Sequence, residues 1–497
     1  MLNNKYKYLS VVLISVSISM LIAILVKVPS IGIGAEIISQ WSSYTGLRSL
    51  DDIVVLSKQI ISLTLFLMVV GFTILSERMR YYIAFAGIAI TAFLGVVPVS
   101  KLLGSIEWNL VLFLTGSMTF AYVLRHMNVF KYLAIKIVEL SKGSFIRLFL
   151  LITALAWFLA MVVDEVTSIV YIMMLLFELR RLIKHDIEPL IVACVLATNT
   201  GSLALPVGNP IGIYMAFTAG LTVREFMVYA LPLSLITLFI TQVSLIISFN
   251  KYLRKLSEKY DTGKTQTFIT RFYTEMNRVS KIGLYLGLVL LIAFLATIAN
   301  IDPLSEILTR IFEVEIDPHA ALSIVPFLFI VISAIVYGPE KLEEAILKGV
   351  EWPSILFFIS LFMLGYSLLY TGVASKLAYT SVMIGGANAN SMGMVLLFMS
   401  AMLSSVLDNL SVIVAMTPIA SIVSSLLGTR KVYWSLLYGG VLGGNFTPIG
   451  STANIVAIGM AERRGMKVSW KRWFSIAMLP AVFQVIAACI YNYLFVA

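Results

Sequence analysis

The chain has 497 residues, of which 60% are hydrophobic and 12% charged, with a mean hydropathy of +0.96 and a formal net charge of +10. This usage lies far outside that of a soluble globular protein and indicates a polytopic membrane protein. Continuous rather than alternating apolar runs indicate helices and exclude a β-barrel. The basic residues lie at helix ends, where they encode topology, so the charge does not signal nucleic acid, and no stretch is long enough for a soluble catalytic domain.

In chain order, residues 1–105 supply N-terminal transmembrane helices. The first apolar run, Tyr8 to Val26, follows Lys5 and Lys7 without a small-residue cleavage site, and reads as an uncleaved span. Glu107-Trp108 opens a first transport repeat, residues 106–249. Within it, the run from Phe145 to Phe177 is 33 residues, ~50 Å as one helix against a hydrocarbon core of ~30 Å. It is too long for one span and too short for two. A re-entrant hairpin with Asp164-Glu165-Val166-Thr167 at its tip resolves the mismatch, and a tip of frayed backbone must face protein or water. A break follows, from Asn199 through Pro206-Val207-Gly208-Asn209 to Pro210, and then Leu231-Pro232.

Residues 250–281 carry eight Lys or Arg against three acids, which predicts a basic cytoplasmic linker by the positive-inside rule. Residues 282–349 supply transmembrane helices opening the second half, and 350–497 a second transport repeat. Its parts return in the same order: Glu351-Trp352, a 33-residue run from Val395 to Leu427 holding Asp408-Asn409-Leu410-Ser411, a break from Gly443 to Asn454, and Leu479-Pro480. Glu107 and Glu351, Asp164 and Asp408, and Gly208 and Gly450 are separated by 244, 244 and 242 residues. That near-constant offset indicates internal duplication, and interrupted helices at matching places put a substrate site at the repeat interface. Hydropathy leaves parallel and inverted repeats both open. The apolar stretches allow about ten to twelve membrane elements.

An acid at mid-membrane costs ~2.5–3.5 kcal/mol on insertion scales, so its presence calls for a partner or an aqueous cavity. The candidate ion or substrate ligands at the tips are therefore Asp164, Glu165, Thr167, Asp408, Asn409 and Ser411. In the breaks, proline removes a backbone donor and glycine permits unusual dihedrals, which frees carbonyls and amides. The candidates there are Asn199, Thr200, Gly201, Ser202, Gly208, Asn209, Asn445, Thr447, Gly450, Ser451 and Asn454, and close helix packing accounts for some of the glycines. His126, His185 and His319 read as interfacial residues, and Cys194 and Cys489 as packing residues. No Gly-Lys-Ser/Thr phosphate loop is present. The chain reads as a gradient-driven transporter, not an enzyme, with no cofactor and no tightly bound metal.

At these motifs the chain resembles the ArsB/NhaD permease family of the ion transporter superfamily, which includes arsenite permeases and sodium/proton antiporters and is related to dicarboxylate transporters. The resemblance rests on Leu403-Ser404-Ser405-Val406-Leu407-Asp408-Asn409, on Phe446-Thr447-Pro448-Ile449-Gly450-Ser451 and on Gly465-Met466-Lys467-Val468-Ser469-Trp470, and runs from about Glu107 to the C-terminus. It implies two inverted repeats, each with a hairpin and a broken helix, together with elevator-like access and a homodimer in the plasma membrane. The chain departs from the family at Glu165, where Asn usually follows the Asp, and at Gly212, where the first break often has Asn. Ser-Asn-Thr tips of dicarboxylate carriers are absent.

Three transport readings follow. The first is proton-coupled efflux of an arsenite-like metalloid or anion, the second sodium/proton antiport, which the extra acid at Glu165 favours. The third, sodium-coupled dicarboxylate transport, is weakened by three carboxylates that would repel a dianion. The expected partners are a small inorganic ion or oxyacid, protons or transported sodium as coupling ion, and the lipid bilayer.

Overall fold

The computed structural model describes residues 2–47, 49–75, 77–183, 185–259, 270 and 278–496. Among them the regular structure is helical, without strands, because a helix is the element that satisfies its own backbone donors and acceptors in hydrocarbon. Among the described residues nine helices are long and apolar enough to cross a membrane, and up to eleven spans result if each of two bent pairs counts as one. The chain is a multi-pass membrane protein. Most of the basic linker, residues 260–269 and 271–277, lies outside the described residues.

The chain divides into two compact units. One comprises Met1–Trp108, Trp352–Gly444 and Ala488–Ala497, the other Asn109–Glu351 and Asn445–Ala487. In the first unit, helix Leu2–Leu25 leaves Leu9, Leu13 and Leu21 more than half exposed, an apolar face that suits lipid. The same unit buries Lys376 completely. Its Nζ donates to the Ala23 carbonyl at 2.6 Å and to Asp51 Oδ1 at 3.0 Å, so the ammonium satisfies a carbonyl that the end of the first helix would otherwise leave open.

The second acid-bearing run forms helices Ala389–Ser404 and Asn409–Leu427. The first starts six residues before Val395, because the Asn388 side chain accepts from the Asn390 backbone N–H at 2.9 Å and caps it. Helix Lys431–Gly443 lies against it at backbone distance. A Cβ on Gly439 would fall 2.2 Å from the Leu397 carbonyl oxygen, and one on Gly443 2.4 Å from that of Ala401.

The other unit repeats this contact. Helix Phe145–Val162 packs on Glu188–Ser202, and a Cβ on Gly201 would fall 2.1 Å from the Trp157 carbonyl oxygen. Gly201 and Gly443 are 242 residues apart and Trp157 and Ala401 are 244 apart, so the duplication extends to the packing of each hairpin on the helix that leads into its break.

Candidate functional site

Both tips are built by an aspartate cap. Helix Glu165–Ile183 starts after Asp164, whose Oδ1 accepts from the Thr167 backbone N–H at 2.7 Å. Helix Asn409–Leu427 starts after Asp408, whose Oδ2 accepts from both the backbone N–H and the hydroxyl of Ser411 at 3.1 Å. The carboxylates thus satisfy donors that the first helical turn leaves unpaired, and each interrupts an apolar run with a change of chain direction. Asp164 and Asp408 are half-buried, and Glu165 and Asn409 are each 3% exposed.

The breaks are also built alike. In the first, Gly208 N–H donates to the Leu205 carbonyl at 3.2 Å, closing a turn over Pro206, and the Asn209 side chain caps helix Pro210–Ala219 through Ile211 N–H at 2.9 Å. In the second, Gly450 N–H donates to the Thr447 carbonyl at 3.3 Å over Pro448, and Ser451 caps helix Thr452–Arg463 through Ala453 N–H at 3.2 Å. Proline without an N–H enforces the interruption, and the polar cap restarts the helix.

Within the unit that holds Asn109–Glu351 and Asn445–Ala487, the two breaks share one buried hydrogen-bond network. Asn199 Nδ2 donates to Asn445 Oδ1 at 2.8 Å and to Asn454 Oδ1 at 2.9 Å, while its Oδ1 accepts from the Ser451 hydroxyl at 3.1 Å. Asn454 Nδ2 donates to the Thr447 carbonyl at 2.8 Å. From the first break, Ser202 donates to the Asn199 carbonyl at 2.9 Å, and Asn209 Nδ2 donates to Ser202 Oγ at 3.1 Å and to Glu165 Oε2 at 3.3 Å. These side chains are at most 3% exposed. A buried amide without partners costs about 1–3 kcal/mol, so the mutual bonding is what makes such a cluster tenable in apolar surroundings.

The network joins Glu165, Asn199, Ser202, Asn209, Asn445, Ser451 and Asn454 to the carbonyl of Thr447. Gly450 forms the turn beside them. Thr200 faces elsewhere: its hydroxyl bonds the Ala197 carbonyl, and its own carbonyl accepts from Ser234, which in turn accepts from the Trp157 indole. Gly201 and Gly208 sit where the first hairpin's backbone passes, with Trp157 and Ala160 carbonyl oxygens at 2.1 and 2.5 Å from an added Cβ. Thr167 is half-buried at the tip. Asp408, Asn409 and Ser411 lie in the other unit, where Asn409 Oδ1 accepts from its neighbour Leu410 N–H at 2.9 Å.

Sequence reasoning passed over Gln484. It is fully buried in helix Trp470–Phe495, its Oε1 accepts from Asn445 Nδ2 at 2.8 Å, and its Nε2 donates to Thr241 Oγ1 at 2.7 Å. An amide inside Ala481-Val482-Phe483-Gln484-Val485-Ile486 is as conspicuous among apolar residues as the tip acids, and the same test applied to neutral polar residues would have found it.

Between Arg147 and Arg180, between Glu188 and Arg224, and between Lys431 and Arg463 the sequence contains no Lys, Arg or His, so Asp164 and Glu165 have no basic neighbour on the segments that form the tip and the breaks. Carboxylates in a low-dielectric setting attract cations or protons.

The profile of the CitMHS family, described as citrate transporter, matches residues 63–439 and 370–497. The chain belongs to this family. Similar to this CitMHS chain are an uncharacterized transporter of Mycobacterium tuberculosis, 28% identical over 429 residues that cover 84% of this chain and 94% of the relative, and the P protein of Homo sapiens, 25% identical over 455 residues that cover 78% and 54%. The arsenical pump membrane protein of Escherichia coli is 25% identical over 305 residues, 60% of this chain and 66% of the pump. The matching profile is thus that of the citrate transporters, and the arsenical pump is similar to this chain at lower identity and coverage than the mycobacterial transporter.

Proposed function

We propose that this CitMHS chain is a gradient-driven transporter of the plasma membrane in which Asp164 and Glu165 bind the coupling cation, a proton or sodium, and the broken helices bind a small oxygen-rich solute. The observation that carries the reading is the pair of tip acids on segments without a basic residue. Glu165 is tied through Asn209 to the first break, so its ionisation is coupled to the geometry of the oxygen and amide groups there.

The family description favours citrate as the solute. A polycarboxylate brought against the tip carboxylates needs its charge neutralised, either by protons or by a bound metal ion that travels with it as cargo. The repulsion that weakens a dicarboxylate reading thus becomes a condition on the form in which the anion is carried. A second reading, proton-coupled efflux of an arsenite-like metalloid, is supported by the similarity to the arsenical pump and by the uncharged hydroxyl and amide groups of the breaks. Sodium/proton antiport is the limiting case in which the acids bind both ions and no solute.

The test uses proteoliposomes with an internal pH dye and an imposed pH gradient. Citrate with magnesium, citrate alone, magnesium chloride alone, sodium chloride, potassium chloride and arsenite are added in turn. Collapse of the gradient with magnesium and citrate together, absent with either alone, supports carriage of a neutralised polycarboxylate. Collapse with arsenite alone moves the solute to a metalloid, and collapse with sodium chloride alone moves it to antiport. A Glu165→Gln protein with wild-type rate and unchanged cation dependence removes this acid from the coupling.

A further inference from the structure

The amide groups of the second break have a fixed sense, and its origin lies outside the break. Thr241 donates its hydroxyl proton to the Thr237 carbonyl at 2.8 Å. Its oxygen can therefore only accept from Gln484, which must present Nε2 to Thr241 and Oε1 to Asn445. Gln484 Nε2 also lies 3.4 Å from the Thr237 carbonyl, which accepts and never donates. Asn445 then has to turn Nδ2 toward Gln484 and Oδ1 toward Asn199, and Asn199 has to turn Nδ2 toward Asn445 and Asn454 and Oδ1 toward Ser451.

A second anchor gives the same answer. Asn454 donates to the acceptor-only Thr447 carbonyl, which leaves Oδ1 for Asn199. The protons therefore run one way, from Ser451 through Asn199, Asn445 and Gln484 to Thr241 and the Thr237 carbonyl, an arrangement in which each bond polarises the next. Both amide protons of Asn199 are engaged inside the network, and Asn199 Oδ1 and Asn445 Oδ1 each accept one of its hydrogen bonds, which leaves an oxygen lone pair on each.

We propose that Gln484 is a positioning residue of the transport site: through Asn445 it holds the amide protons of the breaks inward, so that the breaks offer oxygen acceptors to a cation or to the hydroxyl of a protonated solute. The inference rests on the proposal that the breaks bind the solute, and it adds the residue that sets their polarity. Gln484 does not touch the solute itself.

Gln484→Glu makes this testable, because a protonated carboxyl reproduces the amide pattern: its O–H donates to Thr241 and its C=O accepts from Asn445. The ionised carboxylate has no proton for Thr241, which can bond it only by turning its own hydroxyl away from the Thr237 carbonyl. The facing segments 231–248, 445–461 and 473–497 contain no Asp, Glu, Lys, Arg or His, and the network's acid, Glu165, joins it through Asn209, Ser202 and Asn199, so a pH dependence that the variant has and wild type lacks reports on position 484. A buried glutamic acid titrates at up to about pH 8–9, which sets the range to scan.

Two readouts separate this proposal from the one beneath it. In detergent, Tm of Gln484→Glu relative to wild type is expected to fall as pH rises through the titration, while Gln484→Met is lowered evenly at all pH values. A Tm difference for Gln484→Glu that does not change with pH overturns the assigned polarity, and needs no transport at all. In proteoliposomes, at a temperature where all variants are folded, the ratio of the Gln484→Glu KM to that of wild type, for citrate with magnesium or for arsenite if that is the solute carried, is expected to rise about tenfold as pH rises through the titration. A falling Tm with an unchanged KM ratio would make Gln484 structural only and overturn the positioning role. If wild type carries none of the probes, the proposed function fails for them while the Tm series still decides the polarity.

Discussion

The two acid-bearing tips share a construction and differ in where the next side chain goes. Asp164 and Asp408 each cap the helix that follows, but Glu165 reaches out to Asn209 in the first break. Asn409, in the equivalent place, returns to the backbone of its own neighbour. Duplication has therefore preserved the part of the motif that the backbone demands, the cap, and let the part that faces the site diverge. The first tip is wired to the break beside it, whereas the oxygen of the side chain that follows the cap in the second tip bonds its own backbone.

That comparison can be broken most forcefully at the packing it shares. Gly201→Ala and Gly443→Ala each place a methyl far inside the contact distance of a backbone carbonyl that cannot rotate away, and overpacking of this kind costs typically ~1–3 kcal/mol, occasionally more. Both variants are expected to show a strongly lowered Tm in detergent, by similar amounts. A large loss in one and none in the other would show that the two hairpins are not packed alike.

Glu165→Gln comes next. It keeps a side chain able to accept from Asn209 and removes the charge, so the transport rate at saturating cation gradient is expected to fall at least tenfold with little change in Tm. Asn409→Ala, the mirror experiment, removes one local bond and is expected to change the rate less than twofold. Equal effects would erase the distinction between the tips.

The caps separate charge from structure. Asp164→Asn and Asp408→Asn retain a good cap, since Asn and Asp serve about equally, whereas Asp→Ala at either position loses about 1 kcal/mol of helix stability. If both acids are also ion sites, the Asn variants are expected to be folded and uncoupled, as read by the pH dye. A fully active Asp408→Asn protein would leave that residue as a cap alone. The smallest effect is expected at Thr200→Val: its hydroxyl bonds only its own helix, so Tm should move by less than ~1 kcal/mol equivalent and transport should be unchanged.

Much of this was legible in the residue order. The acids at Asp164, Glu165 and Asp408 stand out because charge in an apolar run is costly, and the matching Pro-x-Gly interruptions stand out because proline and glycine act on the backbone locally. The beginning of the helix at Ala389 was less visible: an Asn388 cap outweighs a polar stretch that looks like a loop. Gly201 and Gly208 read as candidate ligands, with close packing an account of some of the glycines, and that choice depends on what passes beside them, the carbonyls of Trp157 and Ala160, more than 40 residues earlier in the chain.

The sequence by itself determined the helical, membrane-spanning class, the duplication, the positions of the two tips and the two breaks, and the acid excess of the first tip. Those properties follow from composition and local backbone chemistry. Only the tertiary structure decided that Asn199 meets Asn445 and Asn454, that Glu165 meets Asn209, and that Gln484 governs the sense of the amides. An asparagine or glutamine can offer either end to a partner, and which end it offers is fixed by neighbours that the chain brings together from 246 and 243 residues away, as for Asn199 with Asn445 and Gln484 with Thr241.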